Sequence, residues 1–265
     1  MADLLKLMET AKYAAREAGK EIMHVRNSGN LDVSYKAENK LTSIVTRADK
    51  AADKRLKEIL LNAFPEAGWL SEETSDDKKR LSKEYVWVVD PLDGTRYFAK
   101  GENGFVVSIA LVHNCLPQLG VIYQPVNQDT YYASKGNDAF LNGKRIHVTK
   151  THNLDEALFG YSPSILSPKY DSLIKDRLKA NEELINAGTA LRMTNVAEGK
   201  YDFSITIIGY EWDFAAGDII VREAGGIVST FNAGPLKFNQ ENTSMGKCVY
   251  SNKNLSHKIL DRIGY

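Results

Sequence analysis

The chain contains 265 residues, and its 34 Lys and Arg residues balance its 34 Asp and Glu residues to a formal net charge of zero. Its 43% of hydrophobic and 26% of charged residues are typical of a globular protein and exclude disordered, collagen-like and coiled-coil chains. Because a neutral chain offers no large basic surface, we do not expect it to bind bulk nucleic acid or a membrane surface.

Apolar residues at helical spacing predict an amphipathic helix over residues 3–26. A second helix is predicted over residues 47–64, with Thr46 as its N-cap, Asp49 three residues further on and Pro65 just past its end. Turns rich in Pro, Gly and Asn then separate a series of short strands. These strands are predicted at 68–71, 85–89, 104–112, 118–124 and 130–134.

The second half of the chain alternates predicted helices and strands. The helices are predicted at 168–179, 189–198 and 213–224 and from residue 254 onward, and the strands at 201–207, 227–231 and 247–251. This order indicates an α/β (α+β) fold of two layered subdomains, residues 1–150 and 151–265, with no flexible linker between them.

The two cysteines, Cys115 and Cys248, stand at neither disulfide nor zinc-site spacing. Isolated thiols are typical of a reducing compartment, and the charged residues near the N-terminus do not resemble a signal peptide. The longest largely apolar stretch, residues 105–112, is well below the ~20 residues that span a bilayer. We therefore expect a cytoplasmic protein with no membrane segment.

The segment 90–95, Asp-Pro-Leu-Asp-Gly-Thr, follows a predicted buried strand. The proline ends regular strand pairing, the glycine permits a tight bend, and Thr95 is predicted to cap a short helix that ends near residue 99. Asp90, Asp93 and the Leu92 carbonyl then lie on one turn, and such an oxygen-rich turn suits Mg²⁺. The free N–H groups at the helix start suit a phosphate. Because carboxylates alone would repel phosphate, the arrangement indicates a metal between them; the alternative is a capped turn without chemistry.

Two further segments place acids at the end of an element. Glu72 and Glu73 follow the short strand predicted at 68–71, and the alternative is that they belong to a solvated loop. Asp213 begins a predicted helix whose first turn is rich in small residues, which allow close approach of a ligand. The alternative for Asp213 is a simple helix-start acid that interacts with the helix dipole.

Together these segments resemble the Mg²⁺-dependent, lithium-sensitive phosphatases of the inositol monophosphatase superfamily. The resemblance covers nearly the whole chain and implies the layered αβαβα sugar-phosphatase fold and a homodimer. The residues that carry it, in that family's order and approximate spacing, are Glu72-Glu73, Asp90-Pro-Leu-Asp93-Gly-Thr95 and Trp212-Asp213-x-Ala-Ala-Gly217, with Val45-Thr46-x-x-Asp49, Gly136-x-x-Ala139-Phe140-x-Asn142-Gly143 and Glu223-Ala-Gly-Gly226.

The resemblance implies a metal site for two to three Mg²⁺ ions, with Li⁺ as an inhibitor. Glu72, Asp90 and the Leu92 carbonyl would hold the first ion. Asp90, Asp93 and Asp213 would hold the second, and Glu72 would help to hold a weaker third ion through water. Two ions about 3.5–4 Å apart activate water and stabilise the leaving oxygen of an in-line displacement.

The resemblance also implies the groups that act on water and phosphate. Asp49 and Thr95 would form a dyad that orients and deprotonates the attacking water, and the backbone N–H groups of Gly94 and Thr95 would bind the phosphate. A different phosphatase signature, D-x-D-G-T, uses its first aspartate as a nucleophile. That signature requires an acid at the position of Pro91 and an aspartate spacing of two, so it does not fit.

The resemblance implies that the substrate is a small phosphorylated metabolite. Three features resemble the 3'(2'),5'-bisphosphate nucleotidase branch, which hydrolyses 3'-phosphoadenosine 5'-phosphate. They are the segment 70–73 (Leu-Ser-Glu-Glu), the segment 211–213 (Glu-Trp-Asp) and Arg192, which could pair with a second phosphate. The alternative for Arg192 is a surface arginine on an amphipathic helix. The inositol-specific branch is expected to have a glutamate seven residues before Asp213, where this chain has Thr206.

Other functions stay open at this point. Inositol-1-monophosphatase and fructose-1,6-bisphosphatase activity are alternatives within the same superfamily. A non-catalytic protein that keeps the fold and binds protein or RNA is an alternative of another class, against which the intact acidic set and the neutral charge both argue.

Overall fold

The computed structural model describes residues 2–38, 41–162 and 177–264. In this part of the chain, helices and sheets stack in five layers in the order helix, sheet, helix, sheet, helix. Three apolar clusters fill the four interfaces between these layers. The predicted αβαβα architecture is therefore confirmed.

The first layer contains α1 (Leu4–Ser28) and α2 (Arg47–Ala63). The helix α1 ends at Gly29, whose left-handed backbone closes its last turn. Its buried face is lined by small alanines, which allow α2 to pack closely against it. The predicted N-cap is confirmed, because Thr46 and Asp49 form a capping box at the start of α2. An antiparallel hairpin that the sequence did not predict, β1 (Ser34–Glu38) and β2 (Leu41–Val45), joins the two helices.

The second layer is a seven-stranded sheet in which neighbouring strands are consecutive in sequence. The first pair, β3 and β4, is parallel and every other pair is antiparallel. Sequence patterning found the first five strands but missed the last two, which have only three residues each. The strands are β3 (Gly68–Ser71), β4 (Tyr85–Asp93), β5 (Val106–His113), β6 (Leu116–Gln124), β7 (Asp129–Ser134), β8 (Ala139–Leu141) and β9 (Lys144–Ile146).

Strand β4 is longer than predicted, because it continues through Pro91 to Asp93 instead of ending at residue 89. The pairing with β5 shifts between Asp90, which lies opposite Ser108, and Asp93, which lies opposite Val106. Three residues of β4 thus span two residues of β5, and this bulge accommodates a proline that cannot donate a ladder hydrogen bond. The short helix α3 (Thr95–Ala99) follows as predicted, but Gly94 and not Thr95 occupies its N-cap position. The Thr95 hydroxyl instead contacts Asp49 and the Leu92 carbonyl.

Side chains of β4 alternate between the two faces of the sheet. Trp87 and Val89 pack with the α1 and α2 cluster, whereas Val86 and Val88 pack with the cluster of the middle helical layer. Asp90 continues the alternation of Val86 and Val88, so it faces the middle layer.

The middle layer contains α4 (Thr189–Ala197) and α5 (Glu211–Glu223), and the fourth layer is a five-stranded mixed sheet. Helix α6 (Ser256–Ile263) covers the outer face of this sheet and forms the fifth layer. A two-stranded ribbon of β13 (Gly209–Tyr210) and β15 (Ser244–Met245) lies beside the start of α5. In spatial order, the five-stranded sheet contains β11 (Asn181–Leu184), β10 (Leu158–Tyr161), β12 (Phe203–Thr206), β16 (Cys248–Asn252) and β14 (Gly226–Thr230).

The helix predicted at 168–179 falls largely on residues 163–176, which lie outside the described part of the chain. The predicted division into residues 1–150 and 151–265 stays a prediction, and one apolar cluster contains residues from both halves. Of the helices in the described ranges, none combines the length and the apolar character that crossing a bilayer requires.

Candidate active site

Three aspartates from two elements converge at the end of strand β4. Asp90 and Asp93 lie on β4, Asp213 lies in the first turn of α5, and each offers a carboxylate oxygen within 4.8 Å of the other two. Asp90 is 1% exposed and Asp93 is 6% exposed. The bulge in β4 and the start of α5 therefore create a concentrated negative charge that is largely shielded from solvent.

The pKa of Asp90 is raised well above its usual value, first by burial and then by the negative charges of Glu72, Asp93 and Asp213. Burial also raises the pKa of Asp93 to about 6, although hydrogen bonds from backbone N–H groups and the charge of Arg192 oppose the change. Buried carboxylates that repel one another are stable in ionised form only with a cation. Oxygen donors of this kind are the ligands that Mg²⁺ prefers, so the cluster fits that ion.

The carboxylate of Asp93 also caps helix α4. Its Oδ1 accepts the Thr189 N–H at 3.2 Å and its Oδ2 accepts the Ala190 N–H at 2.7 Å. This approach requires a glycine at 188, because a Cβ there would lie 2.3 Å from Oδ2 of Asp93. The N-terminus of α4 is thus held against the aspartate cluster, and its dipole favours the negative charge of Asp93.

Asp49 and Thr95 meet beside this cluster. The Thr95 hydroxyl lies 2.8 Å from Oδ1 of Asp49 and 2.9 Å from the Leu92 carbonyl oxygen. Oδ2 of Asp49 accepts hydrogen bonds from the N–H and the hydroxyl of Thr46, at 2.7 and 2.6 Å. Burial raises the pKa of Asp49 despite these hydrogen bonds. The structure therefore places a carboxyl group of raised basicity within reach of a hydroxyl that also contacts a predicted metal-ligand carbonyl.

Gly94 connects this pair to helix α3. Its φ of 94° lies in the left-handed region, and a Cβ at this position would lie 2.5 Å from the Gly104 carbonyl oxygen. Only glycine fits both conditions. The backbone N–H groups of Gly94 and Thr95 lie at the start of α3, where phosphate binding was predicted.

The loop that carries Glu72 is anchored to α2 through Asp53. Its two carboxylate oxygens accept the hydroxyl groups of Ser71 at 2.5 Å and Thr74 at 2.6 Å. Asp53 lies one helical turn after Asp49, so both side chains project from the same face of α2 toward the site. A cavity of about 330 Å³, lined by Glu72, Glu73, Asp76 and Trp212 among others, opens beside this loop.

The family model for the inositol monophosphatase family matches residues 3–263. The chain belongs to the inositol monophosphatase family. It is 35% identical over 227 residues to the putative Nus factor SuhB of Neisseria meningitidis serogroup B, with 84% of this chain and 86% of the relative covered. It is 32% identical over 232 residues to a fructose-1,6-bisphosphatase/inositol-1-monophosphatase of Aquifex aeolicus, with 86% of each covered.

Solved structures agree with the family assignment. The extragenic suppressor protein suhB of Bartonella henselae superimposes with a TM-score of 0.84 at 28% identity over 99% of both chains. The structure of SaIMPase-II with 2'-AMP bound has a TM-score of 0.82 at 25% identity, with 97% of this chain and 93% of that chain covered. The family comprises Mg²⁺-dependent phosphatases, so the chain is a metal-dependent phosphoric monoester hydrolase.

One predicted contact of this family member needs correction. Arg192 is neither a surface arginine nor available to a substrate phosphate, because it is 1% exposed and its terminal nitrogens bind protein oxygens. Both Nη atoms donate at 2.9–3.1 Å, and the acceptors are Ser204 Oγ, the Ile205 carbonyl, Thr189 Oγ1 and Thr206 Oγ1. Arg192 therefore ties α4 to β12, and it reaches the site only through its charge near Asp93.

The network of Arg192 also includes Thr206, which stands where the inositol branch is expected to have a glutamate. Thr206 is fully buried, accepts a hydrogen bond from Arg192 and lies 3.2 Å from the Tyr250 hydroxyl. Its hydroxyl is therefore engaged within the protein by Arg192 and Tyr250.

Sequence reasoning did not find the structural roles of three residues that build this site. Asp53 had a usable signal, because it lies four residues after Asp49 on the same helix face. Gly188 and the carboxylate of Glu211 had none, because their roles depend on segments far away in sequence. Glu211 is fully buried, and burial raises its pKa to about 7.

Proposed function

We propose that this phosphatase hydrolyses a small phosphorylated metabolite with water as the nucleophile, and that 3'-phosphoadenosine 5'-phosphate is its lead substrate. The observation that carries the proposal is the convergence of Asp90, Asp93 and Asp213 beside the hydrogen-bonded pair of Asp49 and Thr95. Cation ligands and a proton acceptor from elements on both faces of the seven-stranded sheet then lie close together at the end of β4. No covalent phospho-enzyme is required.

In this proposal, Glu72, Asp90 and the Leu92 carbonyl would hold one Mg²⁺. Asp90, Asp93 and Asp213 would hold a second, and Glu72 would help to hold a third. Bound Mg²⁺ supplies a Lewis acid that lowers the pKa of water and neutralises charge on the phosphoryl oxygens. Li⁺ is expected to inhibit by occupying one of these positions.

The residues of the chain supply orientation and proton transfer. The Thr95 hydroxyl, held between Asp49 and the Leu92 carbonyl, orients the attacking water. Asp49 accepts the proton of the attacking water by way of the Thr95 hydroxyl. The raised pKa of Asp49 suits this role. The N–H groups of Gly94 and Thr95 donate to the phosphate.

A nucleotide substrate has two supports. Thr206 stands where the inositol branch is expected to have a glutamate and is committed to a buried network. A similar solved structure, SaIMPase-II, binds 2'-AMP. The Arg192 guanidinium is bound to protein oxygens, so other residues have to bind the second phosphate of such a substrate. Inositol 1-phosphate and fructose 1,6-bisphosphate are the alternatives, and the name of the Aquifex aeolicus relative favours them.

The proposal is tested by phosphate release from 3'-phosphoadenosine 5'-phosphate, inositol 1-phosphate and fructose 1,6-bisphosphate, with Mg²⁺ and with added Li⁺. We expect Mg²⁺-dependent turnover that Li⁺ inhibits and a highest kcat/KM for the nucleotide. The matched control is Asp90→Asn, which preserves shape and removes one charge. Equal kcat/KM values on the three substrates would contradict the proposed substrate preference. Equal rates of phosphate release by the wild type and Asp90→Asn would contradict the proposed enzymatic function.

A second candidate is a non-catalytic binding role, because several relatives are named Nus factors rather than phosphatases. Asp90→Asn separates the two functions, since a binding role survives the loss of turnover.

We further propose a homodimer and a cytoplasmic location. The two free thiols support the location, and sedimentation of the purified protein tests the dimer.

A further inference from the structure

The segment of Asn239 and Gln240 is held by a buried carboxylate from the second half of the chain. Glu211 is fully buried, and its Oε1 accepts the Gln240 N–H at 2.7 Å. Its Oε2 accepts the Asn239 N–H. A carboxylate that is removed from water requires such partners, so the segment is fixed to the first turn of α5.

The same segment is held from its other side by an arginine of the first half. Arg80 is 2% exposed, its Nη1 donates to Asn239 Oδ1 at 2.6 Å, and its Nη2 donates to the Gln240 carbonyl at 2.8 Å. Its Nε and Nη2 also form a two-point contact with the Asp76 carboxylate at 2.7 and 2.9 Å. The planar guanidinium suits such a fork, whereas a lysine could replace only part of it.

The two ends of this chain of contacts lie next to predicted metal ligands. Asp76 is four residues after Glu72 in the same loop, and Glu211 is two residues before Asp213 in the same helical turn. Glu72 and Asp76 line one side of the 330 Å³ cavity, and Trp212 lies between Glu211 and Asp213 and lines it as well. The contacts therefore connect two elements that supply metal ligands from distant parts of the sequence.

We propose that Arg80 and Glu211 form a clamp, through residues 239–240, that sets the position of Glu72 relative to Asp213 and thereby the Mg²⁺ affinity of the site. Both are positioning residues, and this inference rests on the proposed function. Groups that orient metal ligands typically contribute 10- to 100-fold to metal affinity. Because the two side chains act in series on one segment, breaking either contact releases the same connection.

The test is calorimetric titration of the metal-free protein with Mg²⁺ alone, for Arg80→Lys, Glu211→Gln and the double variant. We expect each single variant to raise the Mg²⁺ Kd roughly 10-fold and the double variant to bind no more weakly than the weaker single variant. Arg80→Lys keeps the charge, so its effect does not come from altered electrostatics at Asp213. Lys79→Ala is the matched control, because this neighbouring cation is exposed, and it is expected to bind Mg²⁺ as wild type does.

Wild-type Kd values in variants with an intact near-ultraviolet circular dichroism spectrum would overturn the clamp, and so would a double-variant effect equal to the product of the single effects. If loss of a buried charge prevents folding, Asp76→Asn tests the same connection from an exposed position, with a smaller increase in Kd expected and an unchanged Kd overturning the clamp. A wild-type protein that neither binds Mg²⁺ nor releases phosphate would instead overturn the proposed function.

Discussion

The hydroxyl of Thr95 lies 2.8 Å from Oδ1 of Asp49, across 46 residues of sequence. The same aspartate accepts two hydrogen bonds from Thr46 and so belongs to the capping box of α2. One carboxylate thus stabilises the start of α2 and contacts the first residue of α3. The two roles can be separated by substitution.

Asp49→Asn is expected to lower kcat for phosphate release by roughly 100-fold or more, because a carboxamide cannot take up the proton. Calorimetric Mg²⁺ affinity should stay near the wild-type value. Thr46→Ala is the control: it should cost about 1 kcal/mol of stability through loss of the cap and leave most of the turnover. A wild-type rate in Asp49→Asn would remove this residue from catalysis.

Asp90→Asn is expected to abolish turnover and to raise the melting temperature of the metal-free protein. Neutralising one buried carboxylate relieves repulsion from Glu72, Asp93 and Asp213, and each kcal/mol of relief corresponds to roughly 2–4 °C for a chain of this size. Scanning calorimetry with and without Mg²⁺ measures both states. A lower melting temperature without Mg²⁺ would show that Asp90 stabilises the fold.

The stability of the metal-free protein should fall as the pH rises from about 4 to about 7. The pKa of Asp93 is raised to about 6 and that of Glu211 to about 7. A carboxyl group whose pKa is raised by folding stabilises the folded state while it is protonated, and that contribution is lost as the pH passes its folded-state pKa. Mg²⁺ requires ionised ligands, so the increase in melting temperature on adding Mg²⁺ should be larger at pH 7.5 than at pH 5. Equal increases would contradict a carboxylate metal site.

Gly188→Ala should disturb Asp93, because the added methyl group would lie 2.3 Å from its Oδ2. The backbone of Gly188, with φ of −62°, accepts alanine, so the effect comes from the contact alone. We expect a loss of roughly 1–3 kcal/mol in unfolding free energy and a weaker Mg²⁺ affinity. Gly246→Ala is the matched control, since a methyl group there meets no atom within 4 Å. Wild-type Mg²⁺ affinity in Gly188→Ala would show that a displacement of Asp93 does not weaken Mg²⁺ binding.

Arg192→Lys tests the structural role assigned to that residue. Lysine cannot serve all four acceptors, and each one left unsatisfied costs about 1–3 kcal/mol. Urea denaturation should show the loss, and KM should change by a similar factor for substrates with one and with two phosphates. A KM increase confined to bisphosphate substrates would restore the phosphate-binding role.

Local signals in the sequence predicted the helices, part of the strands and the candidate metal ligands. Caps, turns and strand ends act over three or four residues, so the capping box at Thr46 and the bend at Gly94 could be inferred directly. The order of the acidic segments identified the family, and the convergence of Asp90, Asp93 and Asp213 follows that inference.

Only the tertiary structure decided which polar side chains face the site. Arg192 lies on an amphipathic helix, and no local pattern shows that β12 receives its guanidinium. The hydrogen bonds by which Asp93 caps α4 connect residues that are 96 and 97 positions apart in the sequence. The contact of Arg80 with the Gln240 carbonyl spans 160 positions. Such contacts depend on how sheets and helices stack. A buried polar group has to form hydrogen bonds, and packing decides which partners lie within reach of it.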